Sequence, residues 1–162
     1  MTKDFDLSHE EISDGIVDGE HDGGIDSVFT FVNGDLIYED TDLTSYKKNV
    51  EIELIIIQSK TSGGFSEDPL NAALASLSKL LDLEQDLEQL SQYNDGVKRG
   101  IELFRGAYRS LASKFPKLSI SFVYAAMSAV QSPHENTQKK MDDLVRLLES
   151  LFDEARVRTH SQ

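Results

Sequence analysis

Cysteine is missing from all 162 residues, which excludes disulfides, thiolate metal sites and a cysteine nucleophile together. No apolar run approaches the ~20 residues that a membrane-spanning helix needs. Residues 1–22 are rich in acids and lack the apolar core of a secretory signal. The expected location is therefore cytoplasmic, with no membrane partner. Proline occurs three times: Pro69 at a first helical turn, Pro116 stopping a helix and Pro133 in a breaker. The four histidines, His9, His21, His134 and His160, are scattered and lack the i, i+4 pairing of a zinc helix, so none is assigned a metal. Serine-hydrolase and P-loop signatures are also missing, because TSGG at 61–64 is not followed by the GK[ST] ending that cradles phosphates.

What is present is enough for one domain with a real core: 39% of the residues are apolar. The net charge of −13 argues against a nucleic-acid binder until its location is considered. Residues 1–42 hold 13 Asp or Glu against the single Lys3, leaving 16 acids and 15 bases for residues 43–162. The front would repel a phosphate backbone unless a divalent cation intervened, whereas the rear could supply a basic surface.

In chain order, Ser8 and Glu11 have capping-box spacing, and residues 7–17 offer Leu7, Ile12 and Ile16 for a short amphipathic helix weakened by Gly15. The glycines and carboxylates of 17–24 read as a loop. Residues 25–32, IDSVFTFV, have strand composition, Asn33-Gly34 marks a tight turn, and 36–39 read as the returning strand of a hairpin. After a polar connection, residues 50–60, VEIELIIIQSK, form the most buried strand, with a polar end emerging at a sheet edge. A small, flexible loop, TSGGFS, follows at 61–66.

Leu70, Leu74, Leu77 and Leu81 then recur at helical spacing, and leucines 83, 87 and 90 continue the stripe to about Tyr93, where Asn94-Asp95-Gly96 breaks it. Val97, Ile101, Phe104, Tyr108, Leu111 and Phe115 mark a second helix. Alternation of Leu118, Ile120, Phe122 and Tyr124 with Ser119, Ser121 and Val123 predicts a fourth strand over 117–127. A last helix carries Met141, Leu144, Leu148, Leu151 and Ala155, and no closing element is evident after it. Helix, three strands, two helices, strand and helix predict an α/β sandwich, a mixed sheet with helices on both faces.

Two pieces carry the chemistry. Gln58 and Lys60 project to one face of their strand, about 7 Å apart at ~3.3 Å per residue. Asp26, at the end of DGGID, opens a strand that could lie beside theirs. This arrangement resembles the PD-(D/E)xK nucleases, in the Mrr-like branch whose E-x-K glutamate is a glutamine. It is most similar to the amino-terminal region of the AIPR abortive-infection phage-resistance proteins. The resemblance implies a restriction-endonuclease-like three-layer sandwich and a metal-dependent endonuclease acting on DNA in anti-phage defence. It also implies a single nuclease-like domain over 1–162 at the amino-terminal end of a longer protein.

Phosphodiester hydrolysis needs an activated water, a neutralised phosphate and a stabilised leaving oxygen, and one or two Mg²⁺ ions serve all three. On the resemblance, Asp26 is the principal ligand of Mg²⁺, or of Mn²⁺ in its place, with the Gln58 amide oxygen and the Ser59 carbonyl. Lys60 holds the attacking water or the scissile phosphate. Glu11, Glu10, Glu20 and Asp22 are rivals for the third acidic position.

The competing class is a catalytically inactive nuclease-fold module for interaction or dimerisation, since Gln58 is a weaker ligand than glutamate and the leucine stripes offer a seam for a homodimer. A third reading takes DGEHDGG at 18–24 as a calcium-loop fragment, although the distal Glu of a true EF-hand loop is missing. Lys98, Glu102, Arg105 and Arg109 share one helix face that could meet a DNA backbone, as could Lys47, Lys48, Lys139 and Lys140.

Overall fold

The computed structural model describes residues 25, 27–60, 68–86, 95–126, 135–152 and 155–161. Strand β1 (Ser27–Val32) is built of aromatic and β-branched residues that suit a packed, extended backbone. Asn33 and Gly34 then reverse the chain with positive φ values of 51° and 86°. That backbone matches the twist of a two-residue hairpin, and Asn-Gly adopts it with little strain.

The returning strand β2 (Asp35–Leu36) is shorter than the 36–39 expected. Ile37 still donates to the Thr30 carbonyl at 3.0 Å, but the chain then folds on itself, with the Tyr38 N–H on Thr41 Oγ1 at 2.7 Å. A 3-10 turn (Leu43–Ser45) follows, capped by Asp42. Hydrogen bonds from the Thr44 hydroxyl and N–H hold the Asp42 carboxyl below its usual range. Tyr46 closes this corner by donating to Asp35 at 3.1 Å.

The remaining elements are β3 (Glu51–Lys60), α1 (Asp68–Leu80), α2 (Asp95–Leu111), β4 (Lys117–Ala126), α3 (Glu135–Leu151) and β5 (Arg156–Ser161). The sheet order is β2-β1-β3-β4-β5, with β1 antiparallel to β2 and β3, and β3, β4 and β5 mutually parallel. The sheet is mixed and open, and with three helices among the described residues it makes an α/β fold consistent with the three-layer sandwich expected.

Period-two patterning decides which face packs. Ile52, Leu54 and Ile56 of β3, Val28 and Val32 of β1, and Leu118, Ile120, Phe122 and Tyr124 of β4 are all buried on one face. They share a single core with Leu70, Leu77 and Leu80 of α1, Val97, Ile101 and Phe104 of α2, and Met141, Leu144 and Leu148 of α3. Gly100 lets α2 approach the sheet closely, since a Cβ there would stand 3.1 Å from Val28 Cβ. On the second face, Phe29 and Phe31 are also buried without belonging to that core.

Three departures from the sequence reading have local causes. The helix ends at Leu80, because Asp82 Oδ1 accepts the Glu84 N–H at 3.1 Å and Gln85 N–H closes on the Asp82 carbonyl at 3.1 Å; leucines 87 and 90 of the stripe lie outside the described residues. A short acidic side chain that bonds its own backbone offers the chain a turn in place of another helical turn. Phe115, read as a core residue of the second helix, lies past its end with φ 51° and is 91% exposed. Finally, the chain does close with a strand, β5, where none was expected. The helix read over 7–17 and the calcium-like stretch 18–24 lie outside the described residues.

Candidate functional site

Parallel strands point their carboxyl ends the same way, and in open α/β sheets ligands gather at that edge. Here β3, β4 and β5 end together, and β1, being antiparallel, begins there. The tail of β3, with Gln58, and the first residue of β1, Ser27, fall at this edge. The last described pair between β1 and β3 is Ser27 with Ile57. Ser27 directly follows Asp26 in the sequence, and Ile57 directly precedes Gln58. Pairing of β3 with β4 continues three residues further, through Gln58 with Tyr124, Ser59 with Ala125 and Lys60 with Ala126.

Gln58 stands on the helix-covered face, next in the alternation after Ile56, and is only 7% exposed. A long amide at the rim of a sheet would ordinarily extend into solvent, so its burial marks an enclosed polar position. Position 60 lies on the same face by alternation, ~7 Å along the strand. Asp26 and the side chains of Ser59 and Lys60 lie outside the described residues, as do Glu10, Glu11, Glu20 and Asp22. Among the described residues, no three His, Asp or Glu side chains converge on a point that could hold a metal ion. The ligand set expected here contains one carboxylate, one amide and one backbone carbonyl. Of these donors the Gln58 amide and the main chain of Ser59, paired with Ala125, are described; neutral oxygen donors at a strand end are chemically compatible with a hard cation.

Tyr124, expected only as one of the alternating positions of β4, lies beside Gln58. Fully buried, it is the direct partner of Gln58 across the parallel ladder and is paired on its other side with Ser161. The signal was available: the inward face of β4 runs through Leu118, Ile120 and Phe122, then ends on a phenol where another purely apolar side chain would serve packing as well.

The arginine face of α2 has a different role from the one expected. Arg105 is 5% exposed, and its Nη2 donates to the carbonyls of Leu83 at 2.9 Å and Gln85 at 2.6 Å. Arg109, one turn on, also donates to Leu83. The guanidiniums clasp the turn that follows α1, around a cavity of about 400 Å³ that Asp86 and Glu102 also line. Burial, then the neighbouring Arg109, lowers the Arg105 pKa from its ordinary value. Arg105 is thus buried away from any DNA backbone. Lys139, exposed on α3, pairs with Glu135 at 3.8 Å, while Lys47 and Lys48 are exposed in the connection before β3.

No helix among the described residues is long and apolar enough to cross a membrane. Comparisons with models of protein families, with curated proteins and with solved structures returned no match.

Proposed function

We propose that the chain is a metal-dependent nuclease domain that hydrolyses phosphodiester bonds in DNA, of the QxK type and in the setting of bacterial anti-phage defence. One observation supports the reading: β1 and β3 pair so that Ser27, the residue after Asp26 in the sequence, faces Ile57, the residue before Gln58, at the carboxyl edge of the parallel set. Lys60 ends the same strand as Gln58. A carboxylate, an amide and an ammonium drawn from these positions are a reasonable set for one Mg²⁺ and its water, Mn²⁺ serving as a substitute. When bound, the ion would lower the pKa of that water and neutralise the phosphate. Asp26 and Gln58 would hold it, and Lys60 would fix the attacking oxygen or the scissile phosphate by charge.

The second reading, an inactive nuclease fold serving as an interaction or dimerisation module, draws on the neutrality of Gln58. It also draws on the shallow groove between α1 and α3, where Leu74, Ala75 and Leu147 leave an apolar floor. Incubation of supercoiled plasmid with the protein and Mg²⁺ or Mn²⁺ separates the two. Nicking that is lost in Asp26→Ala and Lys60→Ala supports the nuclease; identical behaviour of the three proteins removes it.

A further inference from the structure

Strand β5 (RVRTHS) is the outermost strand of the sheet and pairs only with β4 among the described residues. Its side chains alternate, so Val157 and Thr159 lie level with Ile120 and Phe122 on the core face. Arg156, Arg158 and His160 consequently share the opposite face, level with Ser119, Ser121 and Val123 of β4. Both arginines are exposed, His160 is half-buried, and the serines beside them are half-exposed. Neither β4 nor β5 contains an acid. In a chain of net charge −13, this makes a strip of one sign.

The other cations with described partners are already engaged. Arg105 and Arg109 hold backbone carbonyls, and Arg146 pairs with Asp143 at 3.1 Å. Arg156 and Arg158 meet no carboxylate among the described residues, the nearest acid on their face being Glu53, beyond Ser119. Their Cα atoms are spaced ~7 Å along the strand. A planar guanidinium offers paired donors that match phosphate oxygens, and serine hydroxyls add contacts of the same kind. A second copy of this chain is a poor occupant of the edge, because strand-to-strand pairing of β5 with itself would bring arginines together.

We propose that Arg156, Arg158 and His160, with Ser119 and Ser121, form a binding strip for the phosphate backbone of a nucleic-acid strand. It lies on the face of the sheet opposite Gln58, and its His160 end reaches the same carboxyl edge, level with Ile57. The nucleic-acid identity of the polyanion rests on the nuclease reading; the strip itself rests on the geometry of β5.

The test is fluorescence anisotropy of a labelled oligonucleotide, single-stranded and as duplex, with the full chain in EDTA, so that binding is read without cleavage. Salt is varied between about 50 and 200 mM, where each phosphate contact contributes a slope of roughly 0.7–0.9 in log affinity against log salt. Arg156→Gln with Arg158→Gln is expected to weaken binding about tenfold or more and to reduce the slope by about 1.5. Arg156→Lys with Arg158→Lys is expected to keep the slope. Should the double glutamine variant fail to fold, Arg158→Gln alone is expected to lose about half of that slope. Unchanged affinity and slope in the glutamine variants overturn the strip, as does binding of the wild type to phosphatidylserine vesicles but not to the oligonucleotide. Because no metal is present, loss of plasmid nicking elsewhere leaves this result untouched.

Discussion

Replacing Arg105 by Met tests whether the guanidinium is a structural clasp. The side chain is 5% exposed and its Nη2 serves two carbonyls, at 2.9 and 2.6 Å. Methionine keeps most of the length and apolar contact but removes both bonds. A hydrogen bond to a charged group contributes ~1.5–3 kcal/mol, and two that share one nitrogen add less than twice that. Against this stands the desolvation of a buried cation, including an Nη1 with no hydrogen-bond partner among the described residues. A net loss of about 2 kcal/mol is expected for Arg105→Met, and roughly half for Arg105→Lys, whose compact ammonium holds one carbonyl less well. Urea unfolding should show a lower midpoint at constant slope, and amide exchange across 83–86 should quicken. Stability equal to or above wild type in Arg105→Met would mean that the two bonds do not outweigh the cost of burying the cation, and would refute the clasp.

Three further outcomes follow from the packing. Gly106→Ala meets nothing within 4 Å and should raise stability by up to ~1 kcal/mol through helix propensity, whereas Gly100→Ala, 3.1 Å from Val28 Cβ, should fall below wild type in the same urea titration. Thr30→Val removes a buried hydroxyl with no hydrogen-bond partner among the described residues, and should be neutral or stabilising by ~1 kcal/mol in thermal melts. Burial, then Asp35, raises the Tyr46 pKa above its ordinary value, so the neutral phenol favours the fold. Its contribution is therefore complete below pH ~10 and lost as pH rises through the raised value. The stability difference between wild type and Tyr46→Phe should be constant below that range and shrink above it.

The hairpin, the two long strands and the helices were legible because each rests on a local signal. Asn33-Gly34 specifies its own backbone, the alternation of β4 carries its facing, and the apolar run of β3 can only be buried. Strand β5 was not legible. Only Val157 and Thr159 of RVRTHS meet the core side of the sheet, so the segment has almost no apolar pattern and is extended because β4 offers it a parallel edge. The end of α1 was missed for a related reason: leucine spacing continues past Leu80 while a single Asp82 side chain captures the turn. At the site, period two predicts that Gln58 shares the face of Ile56, and Gln58 is buried there. The enclosure of Gln58 and its pairing with Tyr124 depend on strands distant in sequence.

A crystal soaked in Mn²⁺, read by anomalous scattering, tests the convergence of the hairpin's leading carboxylate with the tail of β3 most directly. The expected result is an ion bound between Asp26 and Gln58 with Lys60 facing it, lost in Asp26→Ala. Density showing Asp26 on the far side of the sheet, or an ion that ignores both residues, would contradict it.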